Sequence, residues 1–138
     1  MVYDHRHTTA FFVRVEKSPE TLVPIIRNNL CIGKVPMTNW AKADTAGNLL
    51  FKTVAEAGLV DPANYDYRLK AGSPSIGKGV AAGKFGDFDL TPTEQYVHAC
   101  QSEPRAAAGP FDVGAYQFGA AGKPTGTTGR EYGNAKRP

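Results

Sequence analysis

The segment from Tyr65 to Gly79, YDYRLKAGSPSIGKG, restricts the fold more than any other part of the chain. Tyr65, Tyr67 and Leu69 alternate with Asp66, Arg68 and Lys70, the period-two pattern of a strand with one buried face. Gly72, Ser73, Pro74, Gly77 and Gly79 then crowd around a single branched aliphatic, Ile76. These residues force a sharp turn while one side chain remains suited to an interior. The combination fits a fold of many brief strands and excludes one of long helices. Composition agrees: 15 glycines and 10 prolines among 138 residues amount to about 18%, against roughly 12% in ordinary proteins.

Other segments read the same way. AFFVRVE is a strand by its β-branched and aromatic content, with Phe11, Val13 and Val15 on one face and Phe12 and Arg14 on the other. Ser18, Pro19 and Glu20 break it. A second strand region runs from Ile25 to Ile32 and stops at Gly33. Asn28 and Asn29 interrupt it, and asparagine prefers bends and left-handed backbone to strands. The pair therefore marks a corner, one strand ending near Arg27 and the next starting at Leu30. Val35 to Asn48 is polar and loop-like apart from Trp40. LLFKTVAEAGLVDP fits a short helix ended by Gly58 and barred by Pro62, and a strand fits the same run nearly as well. TPTEQYVHAC has the form of a short helix, with Thr91 or Thr93 as cap and Pro92 at a first helical position. PFDVGAYQF reads as the last strand. The expected organisation is one folded unit over 1–118 and a flexible, basic tail over 119–138.

Short strands, an asparagine corner and irregularly spaced turns fit an all-β solenoid of stacked coils better than a closed barrel. Strand number alone leaves a β-sandwich fragment open. The net charge of +3 comes from the tail, where Lys123, Arg130, Lys136 and Arg137 face only Glu131; the rest holds 12 basic and 12 acidic residues. A neutral body argues against nucleic-acid binding, which needs Lys and Arg clustered on a folded face. No apolar run approaches the ~18 residues of a membrane span. The first residues, MVYDHRHTTAFFVRVEK, lack the pattern of a secretory signal. Cys31 and Cys100 have no metal-site spacing. Both a disulfide and two packed thiols are compatible with them, and their small or apolar neighbours favour thiols. GxSxG, P-loop, GxGxxG and HExxH motifs are absent from the sequence.

VDPANYDYRLKAGSPSIGKG, followed by PRAAAGPFDVGAYQF, resembles the closing coils of right-handed parallel β-helix proteins of the pectate-lyase-like superfamily. The resemblance rests on Asp61, Pro62, Asp66, Tyr67, Arg68, Leu69, Gly72, Ser73, Pro74, Ile76 and Gly79, then Arg105, Asp112, Gly114, Ala115 and Tyr116. IIRNNLCIG, with Asn29 at its corner, looks like an ordinary coil of that fold, and the likeness spans roughly Ile25 to Phe118. Two departures stand out: Gly77-Lys78 replaces an acidic residue followed by a small one, and Gln117 replaces a glutamate. The resemblance implies a short right-handed parallel β-helix, a solenoid fragment holding the C-terminal coils. It implies an extracellular or cell-envelope protein that binds or degrades polysaccharide. Pro74 would end a coil, Ile76 would enter the aliphatic stack, and Arg105 and Asp112 would form an ion pair. These motifs close such a helix and do not carry its chemistry, so a complete active site is not expected here. A non-catalytic module that oligomerises through its open end is the alternative, and missing N-terminal coils would serve as the same cover.

Candidate reactive groups are sparse. In YDHRHTT, His5 and His7 would share a side of an extended chain, with Asp4 and Arg6 beside them, a geometry for metal binding or proton transfer. A solvated polar segment is the simpler reading. Asp87 and Asp89 would share a face and are the candidate ligands for calcium, although a polar loop is the favoured reading because no further carboxylates sit at EF-hand spacing. Trp40, Tyr65 and Tyr67, with Tyr96, are candidate sugar-stacking surfaces, weighed against roles as core or loop anchors.

Overall fold

A computed structural model describes residues 10–16, 19, 21–97, 101–105 and 110–119. The fold is all-β, with little helix. Strands β1 (Leu30–Ile32) and β2 (Leu49–Phe51) form a parallel pair. Three antiparallel pairs follow: β3 (Leu59–Asp61) with β4 (Asp66–Leu69), β5 (Lys84–Phe85) with β6 (Phe88–Asp89), and β7 (Glu94–Val97) with β8 (Gln101–Pro104). Among the described residues these are four separate two-stranded sheets, with no closed solenoid. A single helical turn, α1 (Val54–Ala57), and a 3-10 turn over Pro62–Asn64 complete the elements.

The parallel part is built on a fixed step. Leu30 pairs with Leu49, Cys31 with Leu50 and Ile32 with Phe51, while an isolated parallel bridge joins Ile25 to Asp44, so every partner lies 19 positions on. Val13 bridges Thr38 in the same sense. The asparagine pair makes the corner. Asn28 adopts φ 58°, a left-handed conformation that asparagine tolerates better than most residues. Asn29 and Asn48, also one step apart, are stacked: the Asn29 amide N–H and Nδ2 donate to Asn48 Oδ1 at 2.9 and 3.0 Å. Asn48 Nδ2 in turn donates to the Ile26 carbonyl at 2.5 Å. Side chains thus replace the backbone ladder where the chain bends, which leaves few polar groups unpaired at the corner.

β1 is buried on both faces. Leu30 and Ile32 meet Ala57, Leu59, Leu69 and Val113, with Ile76 packed alongside. Cys31 meets Phe12, Ile26, Val35 and Met37 on the other side. The Cys31 thiol is free, and burial raises its pKa, so it behaves as a small apolar filler.

The turn after β4 closes the first cluster. Ser73 Oγ donates to the Ala57 carbonyl at 2.9 Å, and the Ile76 amide donates to Ser73 O at 3.2 Å across Pro74. Gly58 caps α1 at φ 63°, and a Cβ there would lie 3.1 Å from the Ser73 Cα. The closing strip then lies along this turn: Gly79 N donates to Phe111 O at 2.7 Å, and Val113 N donates to Ser75 O at 3.0 Å.

Several expectations are corrected. Glu94–Val97 is a strand, not a helix, because pairing with β8 and burial of Gln95 outweigh a helical start too short to nucleate alone. PFDVGAYQF follows bends and turns, with Gly114 at φ 108°, although its amides bond like a rung. AFFVRVE makes a single bridge and buries Phe12 instead of the opposite face. Tyr65 and Tyr67 are exposed, and only Leu69 of that face is buried. The tail from residue 120 onward lies outside the described residues.

Asn28 holds this arrangement from three directions. Its Nδ2 donates to Val80 O at 2.7 Å, its Oδ1 accepts from Val80 N at 2.8 Å, and its carbonyl accepts from Gly114 N at 2.9 Å. Asn28→Ala should cost about 2 to 4 kcal/mol, from two lost bonds and a left-handed alanine. Asn28→Gly, which relieves only the backbone, should cost visibly less. Equilibrium urea denaturation of the three proteins measures the difference, and equal losses would contradict it.

Candidate functional site

A groove of about 740 Å³ opens where β1, the β3–β4 hairpin, β7 and the closing strip meet. Its floor is aliphatic: Leu30, Ile32, Leu59 and Leu69 present the edge of the first core cluster. Tyr67, Tyr96 and Tyr116 supply its aromatic walls, and Asn28 and Asn29 line it beside the corner.

Each tyrosine is placed by a different element. Tyr67 projects from β4 and Tyr96 from β7, 37% and 44% exposed. Alternation within β7 turns Gln95 inward, 4% exposed, and leaves Tyr96 outward. Tyr116 follows Gly114 and Ala115 in the closing strip and is buried. Burial, followed by the nearby Tyr96 and Asp66, raises its pKa, with Arg68 opposing and Glu103 adding to the rise. Asp66 and Arg68 neutralise one another: Arg68 Nε donates to Asp66 Oδ1 at 2.8 Å, which holds the Asp66 carboxyl below its usual range.

A polar chain fixes the wall behind the groove. Gln95 Nε2 donates to Glu103 Oε1 at 2.6 Å, and Gln95 Oε1 accepts from Gln117 N at 3.0 Å. Gln117 then uses both ends of its amide, Oε1 accepting from Asp112 N at 3.2 Å and Nε2 donating to Pro110 O at 3.1 Å. A glutamate could not make the second bond, which gives the departure at Gln117 a physical reason. Asp112, 2% exposed, accepts from Gly77 N at 2.6 Å and from Phe118 N at 2.5 Å. The expected Arg105–Asp112 ion pair is replaced by a different contact. Arg105 Nη2 meets the Asp112 carbonyl at 3.1 Å, while the carboxylate accepts from the two amides.

The remaining sequence candidates are dispersed. His5, Arg6 and His7 lie outside the described residues. Trp40 is half-buried on the rung that pairs with Val13, its Nε1 without a hydrogen-bond partner, and it does not line the groove. Tyr65 sits at φ 62° after the 3-10 turn, 59% exposed and outside the groove. Asp87 occupies the β5–β6 turn, and the pKa of Asp89 on β6 is lowered by the Thr91 side chain first and then by Thr91 N, which donates to it at 2.9 Å. No third carboxylate, imidazole or thiol joins them among the described residues. No helix there is long and apolar enough to cross a membrane. Tyr116 was legible only as part of a closing motif, since nothing in its spacing places it beside Tyr67 and Tyr96.

Such a lining could hold a ligand by its ring faces, the Asn28 amide and the Asn29 Nδ2 being already engaged. Its protonation state follows from Tyr116. The raised pKa means that stability from the neutral phenol is full below the ordinary phenol pKa of about 10 and is lost as pH rises toward the folded value. Ultraviolet titration should show one tyrosine ionising late, and Tyr116→Phe should remove that phase. A late phase surviving in Tyr116→Phe would assign it elsewhere.

Comparison with known proteins adds no assignment: no family model, no curated protein and no solved structure matches the chain.

Proposed function

We propose that the chain forms the closing coils of a right-handed parallel β-helix and that its groove binds carbohydrate. The observation that carries the ligand class is the convergence of Tyr67, Tyr96 and Tyr116 on a groove of about 740 Å³ with an aliphatic floor. Pyranose rings have apolar faces and hydroxyl edges, and stacked aromatics with polar rim groups complement both. The β-helix reading is supported by the 19-residue parallel step, by the stacked Asn29 and Asn48, and by the contact between the GSPSIGKG turn and the closing strip. The three antiparallel hairpins are, in this reading, excursions from the coils. The role is binding, and no catalytic step is assigned to these residues.

A second reading, a module for assembly, draws on the β5–β6 hairpin. Phe85 and Phe88 are cross-strand partners and stand 73% and 70% exposed. Strands of two residues with no buried side chain are marginal alone, and a covering partner would stabilise them.

Titration calorimetry against a panel of neutral and acidic oligosaccharides tests the first reading. Tyr96→Ala and Tyr67→Ala should each weaken binding by about tenfold, as loss of one stacked ring would. Absence of binding across the panel, or affinity unchanged in the double variant, would refute it. Sedimentation tests the second: a dimer or larger species that dissociates in Phe85→Ser/Phe88→Ser favours assembly, and a monomer at all concentrations opposes it.

A further inference from the structure

A second, smaller concavity of about 310 Å³ lies on the other side of the Asn28 corner. Among the described residues it shares Asn28 and Gly114 with the tyrosine groove. Two guanidiniums, Arg27 and Arg105, line it between apolar walls that include Ile25, Leu90 and Phe111. Their partners differ. Arg27 is ion-paired to Asp44, and its Nη1 donates to Ala81 O at 3.1 Å. Among the described residues the acceptors of Arg105 are neutral: Nη1 donates to Gly114 O and Nη2 to Asp112 O, both at 3.1 Å. No carboxylate reaches ion-pair distance of it among the described residues.

Asp112 also lines the cleft, but its two oxygens are engaged by the amides of Gly77 and Phe118. A half-buried cation with neutral partners retains a desolvation cost that an adjacent anion offsets. Burial correspondingly lowers the Arg105 pKa, with the field of Asp112 only partly opposing it.

We propose that this cleft is a binding site for a small carboxylate with an apolar body, the carboxylate facing Arg105 and Arg27 and the body lying against Ile25, Leu90 and Phe111. A planar carboxylate matches the guanidinium fork, and the cavity is large enough for one ring-sized ligand. The site does not depend on the carbohydrate reading, because its ligand differs and neither guanidinium lines the tyrosine groove.

Benzoate and its uncharged isostere benzamide are the probes, titrated by calorimetry into the full chain. Wild type should bind benzoate at least about tenfold more tightly than benzamide. Arg105→Gln should remove that preference. Because Arg105 also bonds two carbonyls, Ile25→Glu is the second variant: the side chain is 45% exposed, so the fold should tolerate it, and the new carboxylate would occupy the guanidiniums itself. It should reduce benzoate affinity by about tenfold or more, with an unchanged circular dichroism spectrum. Equal affinity for the two probes, no binding of either, or wild-type benzoate affinity in a folded Ile25→Glu would each overturn the proposal.

Discussion

The structure depends on how Asn28 turns the chain. A left-handed residue at that point ends one short run and starts β1, and its side chain and carbonyl are then aimed at segments far along the sequence. Only a residue that tolerates positive φ and also carries a donor and an acceptor can do both. Glycine would make the bend without the side-chain bonds, and aspartate would lose the donor. The groove and the smaller cleft both have this corner in their lining.

Much of this was readable from residues. The asparagine corner, Leu30 as the start of the next strand, Gly58 as a helix end, and the strand ending at Leu69 follow from local preferences that the fold does not override. The errors occur where pairing across long separations decides. Glu94–Val97 carries the capping signals of a helix, yet β8 supplies a partner and Gln95 an interior contact. The closing strip alternates like a strand, yet it bonds to Ser75, Gly79 and Asn28 through bends.

The candidate site was less legible than the fold. Tyr67 was identifiable as an aromatic on a strand, but its neighbours Tyr96 and Tyr116 come from elements 27 or more positions away and meet it only through tertiary packing. Trp40 and Tyr65 have the same chemistry and are placed elsewhere. Residue type therefore indicated the kind of contact, and topology decided which rings take part. Arg105 shows the same division: an acidic residue seven positions on invited an ion pair, but the guanidinium meets that residue's backbone carbonyl and its carboxylate accepts from two amides.

The closing strip also bears on how the protein is made. Gly114 donates to Asn28 across 86 positions, and Val113 reaches back to Ser75. During synthesis from the N-terminus, the first rungs emerge long before the strip that completes them. The early half must therefore wait on the ribosome with one side of its interior uncovered, and contacts of such sequence separation form slowly. Acquisition of the native state is therefore set by the late arrival of this strip, not by the earlier strands that it covers.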